Sequence, residues 1–162
     1  MTKKNQKTHP DIRLVGVGNP YRRDDGVGRY IVRHPLLKHR SGVWITETPE
    51  DTTGLMDFWK TAGTVYLFDA VFSGNTPGRI YRFNPIQNPL PRDLFRLSTH
   101  VLGLVEVIEL SRALDQLPDE LVVFGIEGKD MGLGRHLSRE TEQAALKVIR
   151  RVLEEIGPDH SG

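Results

Sequence analysis

The segment Gly16-Val17-Gly18-Asn19-Pro20-Tyr21-Arg22-Arg23-Asp24-Asp25-Gly26-Val27-Gly28 constrains this chain more than any other. It follows the apolar run Ile12 to Val15 and precedes apolar residues at helical spacing from Val27 onward. That order predicts a strand, a tight glycine turn and a helix start. A strand feeding a helix is a βα unit, the start of a βαβ crossover, so the chain should build a parallel sheet. The acid pair Asp24-Asp25 then falls beyond the carboxyl end of a strand, where open α/β sheets hold their chemistry.

The rest of the chain repeats the alternation. Strand-like runs occur at Ile12 to Val17, Val43 to Glu47, Thr64 to Asp69, Arg79 to Phe83 and Leu121 to Ile126. Helical patterns fall at about Gly26 to Leu37, Gly54 to Ala62, His100 to Leu114 and Arg139 to Ile156. Pro35 should kink or end the first of these. Thr52 or Thr53 is the expected N-cap of the second, and Ser138 that of the last. Gly157-Pro158 stops the last helix. The expectation is an α/β layer fold with a mostly parallel sheet. Ser73 to Gly78 joins two strands without a helix and is expected to link an antiparallel pair. Asn84 to Pro91 is proline-rich and reads as an irregular surface loop.

A chain of 162 residues is long enough for one domain with a substantial core. Residues 1–10 read as a disordered leader, 11–158 as a single domain and 159–162 as a flexible tail. The Lys3, Lys4 and Lys7 cluster is followed by no apolar core, so no signal peptide is expected. No apolar run approaches the roughly 18 residues that span a membrane. The expected compartment is the cytoplasm. A formal net charge of +1 gives no broad field for nucleic acid. Cysteine is absent, which excludes thiol nucleophiles and thiolate metal sites. A metal would have to be held by carboxylate and imidazole.

Three positions carry candidate chemistry. One acid of the Asp24-Asp25 pair is expected to cap the following helix, leaving the other available as a ligand. Asp69 ends the run Val65-Tyr66-Leu67-Phe68 and should be partly buried at a strand edge. A buried carboxylate needs a cation or donors around it. His100 sits at a predicted helix start, which disfavours the imidazolium and keeps the ring neutral for a metal. A dinucleotide reading of Gly16-x-Gly18 meets Tyr21 where the third glycine belongs. Two carboxylates there would also repel a pyrophosphate, although Glu47 could imitate a ribose-binding acid. His34, His39, His136 and His160 read as surface residues.

Taken in order, Gly16-Val17-Gly18-Asn19, Asp24-Asp25-Gly26-x-Gly28, Leu67-Phe68-Asp69-Ala70, His100-x-Leu102-Gly103-Leu104 and Phe124-Gly125-Ile126-Glu127 resemble the hydrogenase maturation endopeptidases. Those enzymes trim a C-terminal extension from the large subunit of nickel-iron hydrogenases. The resemblance covers nearly the whole chain beyond residue 10. It implies a three-layer sandwich with a twisted, mostly parallel five-stranded sheet and helices on both faces. It implies that Asp25, Asp69 and His100 are the metal-binding and catalytic trio. It also implies that the metal is nickel carried by the precursor, with zinc or cadmium able to occupy the same ligands in vitro. The partner is then the large-subunit precursor, and the protein itself is expected to be a monomer.

Some positions depart from the family pattern. Glu50-Asp51-Thr52-Thr53-Gly54 stands where a Gly-Gly-Thr-like segment is usual, Pro35 interrupts the first helix, and Gly134-Arg135 follow Gly132-Leu133 in place of Ser/Thr-Pro. The loops Glu50 to Gly54 and Gly128 to Arg135 are expected to recognise the precursor. Two other readings stay open on sequence: a nickel-sensing module that docks the precursor without cutting it, and an α/β nucleotide-binding protein.

Overall fold

The computed structural model describes residues 11–48, 54–95 and 103–159. Five strands form one sheet: β1 (Ile12–Val17), β2 (Val43–Thr48), β3 (Thr64–Val71), β4 (Ile80–Phe83) and β5 (Glu120–Glu127). Their order is β2-β1-β3-β5-β4. All neighbours are parallel except β4, which runs antiparallel to β5 at the edge. The antiparallel strand expected after Ser73 to Gly78 is therefore present, but β5 lies between it and β3. The turn carries the chain across β5 instead of closing a hairpin.

Alternation along the strands divides the core into two layers. Ile12, Leu14, Tyr66, Phe68, Val122, Phe124 and Ile126 pack beneath α1 (Val27–Arg33), α2 (Pro35–Lys38) and the long α5 (Arg139–Ile156). Val15, Val17, Val65, Leu67, Val71, Leu121 and Val123 pack on α3 (Leu55–Trp59) and α4 (Leu104–Ala113). The three-layer α/β sandwich is thus observed. On the second face the buried Trp59 donates its indole N–H to Ser111 Oγ at 3.2 Å, tying α3 to α4.

The helices depart from the sequence pattern at their ends. A 3-10 turn, Arg23–Gly26, precedes α1. Pro35 does not merely end α1: it starts α2 at the position where its missing N–H costs nothing, and His34 Nδ1 accepts from Leu36 N at 3.3 Å as the cap. Gly54 and Gly103 occupy the N-cap positions of α3 and α4. Thr52, Thr53 and His100 to Leu102 lie outside the described residues, as do residues 1–10 and 160–162. Ser138 stands at the N-cap of α5, yet its side chain does not cap that helix.

Two glycines hold the first turn in place. Gly18 has φ +118, and a Cβ there would lie 2.0 Å from the Asp25 carbonyl oxygen. Gly28 lets α1 lie directly on the sheet, since a Cβ would lie 2.2 Å from Phe68 O and 2.5 Å from Val17 O. The consequence is positional: the turn carrying Asp24 and Asp25 is pressed against the upper ends of β1 and β3.

Candidate active site

Strand order reverses direction at β1, with β2 on one side and β3 on the other. Such a switch point opens a crevice beyond the strand ends. Pairing of β1 with β3 ends at Gly16 and Phe68, whereas β3 runs on to Val71 beside β5. Asp69 is therefore not the last residue of its strand, as the sequence pattern suggests, but the first one past the last pair that β3 makes with β1. It shares parity with Val65, Leu67 and Val71, which face the α3 and α4 layer.

The two acids of the turn have different tasks. Asp24 is completely buried. Its Oδ2 accepts from Lys129 N (2.8 Å), Asp130 N (3.0 Å) and Ser138 Oγ (2.8 Å), and its Oδ1 from Ser138 N (2.7 Å). Ser138 Oγ also sits 2.9 Å from Thr141 Oγ1. Having only one proton, which goes to the carboxylate, Ser138 receives that of Thr141. Burial opposes ionisation of Asp24 most strongly, but the four donors together outweigh it and hold the carboxyl below its usual range. Asp24 is thus a bolt between the turn and the loop leading into α5. The expectation that one acid would cap the next helix is not met: neither the 3-10 turn nor α1 has a side-chain cap.

Asp25 is half-buried, and its Oδ2 accepts from Asn19 N at 2.9 Å. Asp69 has one described hydrogen bond, from Ala70 N to Oδ1 at 2.8 Å. Part of the residue reaches solvent, while protein atoms crowd its carboxyl group. Burial, with the nearby Asp25 charge adding to it, pushes Asp69 up to about 8. Two carboxylates close enough for one to raise the other form an arrangement that a positive ion would relieve. Among the described residues no cluster of three acids or histidines is close enough to hold a metal. Asp25 and Asp69 supply two oxygen donors. His100, the third expected ligand, lies outside the described residues. Carboxylate oxygens with an imidazole suit a borderline divalent ion.

The other singled-out residues are structural. Glu47 forms a bidentate pair with Arg33 at 2.5 and 2.8 Å and a longer contact to Arg29 at 3.5 Å, so it is committed to cations of its own chain. Glu127 is buried and accepts from Ser73 N, Ser73 Oγ, Asn75 N and Tyr81 O–H, fixing the turn after β3. His34 is half-buried as the cap of α2 instead of lying on the surface, while His39 and His136 are exposed. The roles of Asp24 and Glu127 left no local signal, because nearly all their partners come from distant loops.

Residues 48–155 match the family model for hydrogenase maturation protease. The chain belongs to the hydrogenase maturation protease family. Relatives include the hydrogenase expression/formation protein HupD of Thiocapsa roseopersicina, 26% identical over 91% of this chain and 68% of that protein. HoxM of Azotobacter vinelandii is 28% identical over 93% of this chain and 75% of its own length. Among solved structures, the Escherichia coli hydrogenase maturating endopeptidase HybD superposes with a TM-score of 0.76 at 24% identity, covering 90% of this chain and 91% of HybD. A second Escherichia coli endopeptidase superposes at 0.70 with 26% identity over 88% of this chain and 90% of its own. No helix among the described residues is long and apolar enough to cross a membrane.

Proposed function

We propose that this maturation protease removes the C-terminal extension from the large-subunit precursor of a nickel-iron hydrogenase after nickel has been inserted. The observation that carries the reading is the pair Asp25 and Asp69, where burial, with the nearby Asp25 charge adding to it, pushes Asp69 up to about 8. Nickel displayed by the precursor enters as part of the substrate. Its arrival favours loss of the Asp69 proton, since the cation replaces that proton as the neutralising charge. Asp25 and Asp69, with His100, then grip the ion beside the scissile bond, so a precursor without nickel is not held productively. Peptide hydrolysis needs a base for the attacking water and an acid for the leaving amine. In this reading Asp25 and Asp69 are the carboxylates that can serve as the base. Cytoplasmic action follows from this reading, because the precursor must be processed where nickel is inserted.

The test is mass spectrometry of a nickel-loaded large-subunit precursor incubated with the protein, beside a nickel-free precursor. Release of a C-terminal peptide only from the loaded form is expected. Stable complex formation without release would replace the protease by the docking module, and cleavage of both forms would remove the nickel gate.

A further inference from the structure

A second concavity lies on the other flank of the first turn. It has a volume of about 290 Å³ and is lined by Arg23, Arg29, Arg33 and Arg135, with Tyr30 and His34 among the remaining walls and, among the described residues, no acidic one. The chain as a whole carries a net charge of only +1, so this is a local concentration of cations. Neighbouring acids offset only part of it. Glu47 engages Arg33 and, at 3.5 Å, Arg29. Asp130 pairs with Arg23 at 3.3 Å. Arg135 is exposed and stacks over Tyr21, 5.0 Å from the ring centre, with no ion pair among the described residues. Arg29 is the most telling member. Its side chain is only 11% exposed, and its Nε is buried without a hydrogen-bond partner among the described residues. A buried guanidinium donor left unpaired is costly unless an acceptor arrives. His34 Nδ1 already accepts from Leu36 N, so its Nε2 is the proton-bearing nitrogen and a further donor.

Two exposed apolar residues adjoin Arg23 and Arg135 of this cavity: Arg135 lies over the Tyr21 ring, and Leu133 neighbours Arg23. Tyr21 is 57% exposed and Leu133 85% exposed. Their backbones are held in this region by Gly134 N donating to Tyr21 O, and by Arg23 Nε donating to Leu133 O. A cationic well beside an exposed apolar shelf fits a polypeptide that offers a carboxylate and apolar side chains together. A small free anion would use the well and leave the shelf bare.

We propose that this arginine-lined cavity is a docking subsite for a carboxylate side chain of an acidic polypeptide, holding the substrate chain one turn away from Asp25. The proposal rests on the protease reading, which supplies a polypeptide substrate. The turn at residues 19–26 serves both places, giving Asp25 to the crevice and Pro20, Arg23 and Gly26 to the cavity. An acidic segment seated here therefore fixes the register of the chain that crosses the crevice.

The test is calorimetric titration of the whole protein, at low salt, with a blocked hexaglutamate peptide. Hexaglutamine and free citrate are titrated beside it. Hexaglutamate should bind, hexaglutamine should not, and citrate should bind more weakly. Arg135→Gln and Arg29→Gln should each weaken hexaglutamate about tenfold, the loss expected for one charge-assisted pair. Arg82→Gln removes the same charge from the edge strand β4, where Arg82 pairs with Glu155 and does not line the cavity, and should leave peptide binding unchanged. Absence of hexaglutamate binding would overturn the subsite. So would equal weakening by Arg82→Gln, or citrate binding as tight as the peptide. Should Arg29→Gln lose its melting transition, Arg135→Gln decides alone. No step uses cleavage, so a protein that binds the peptide but never processes a precursor would retain the subsite and lose the protease reading.

Discussion

Asp24 and Asp69 are the same residue type at the same edge of the sheet, and their surroundings drive them in opposite directions. Asp24 lies in a loop junction where three backbone N–H groups and one hydroxyl converge on it. Asp69 lies at a strand junction with one backbone donor and another carboxylate for company. The first is held below the usual carboxylate range and the second is pushed up to about 8. Burial alone therefore does not mark a functional acid. What separates the two is the supply of donors: a carboxylate whose acceptors are all filled belongs to the architecture. One left short is available for chemistry.

The contrast can be broken most decisively at Asp69. Replacement by Asn should reduce precursor processing about 10³-fold or more, with the fold intact by circular dichroism. Next in size, Asp24→Ala removes a fully buried carboxylate from four donors and should cost about 3 kcal/mol or more in urea unfolding. A loss below about 1 kcal/mol would deny its role as a bolt.

The opposite shifts also predict opposite pH dependences for the metal-free protein. Asp69 is raised on folding, so between about pH 4 and pH 8 the native state holds more protons than the unfolded state. Its contribution to stability falls as pH rises through that window, by up to about 1.4 kcal/mol per unit. Asp69→Asn should remove that slope when unfolding is followed in a chelating buffer, and a slope left unaltered would contradict the assignment. Asp24 is lowered, so its contribution is present above about pH 4, near the unfolded carboxyl value, and is lost as pH falls through the native value. The smallest effect belongs to Glu47, a third carboxylate satisfied chiefly by the exposed Arg33. Glu47→Gln should cost only about 0.5–1 kcal/mol, because solvent screens its pair with Arg33.

Much of this was legible in the sequence where the signal is local. Apolar runs marked all five strands, and the glycine turn placed Asp24 and Asp25 at the end of β1. Asp69 stood out as a charge set against apolar neighbours. The division of labour within the acid pair was not legible, because Asp24 is explained by Lys129, Asp130 and Ser138, more than a hundred residues away. The partner of β4 escaped for a similar reason: a short turn suggests a hairpin, while β5 arrives later in the chain and takes the place between β3 and β4. The arginine cavity gathers residues from 20 to 137, so no window of sequence contains it.

The most direct test compares Asp69→Asn and Asp24→Ala for precursor processing per folded molecule, with the folded fraction taken from each variant's own unfolding curve. Asp69→Asn should be fully folded and inactive. Asp24→Ala should be less stable, while the molecules that remain folded process at close to the normal rate. Normal processing by folded Asp69→Asn would contradict the account at its centre.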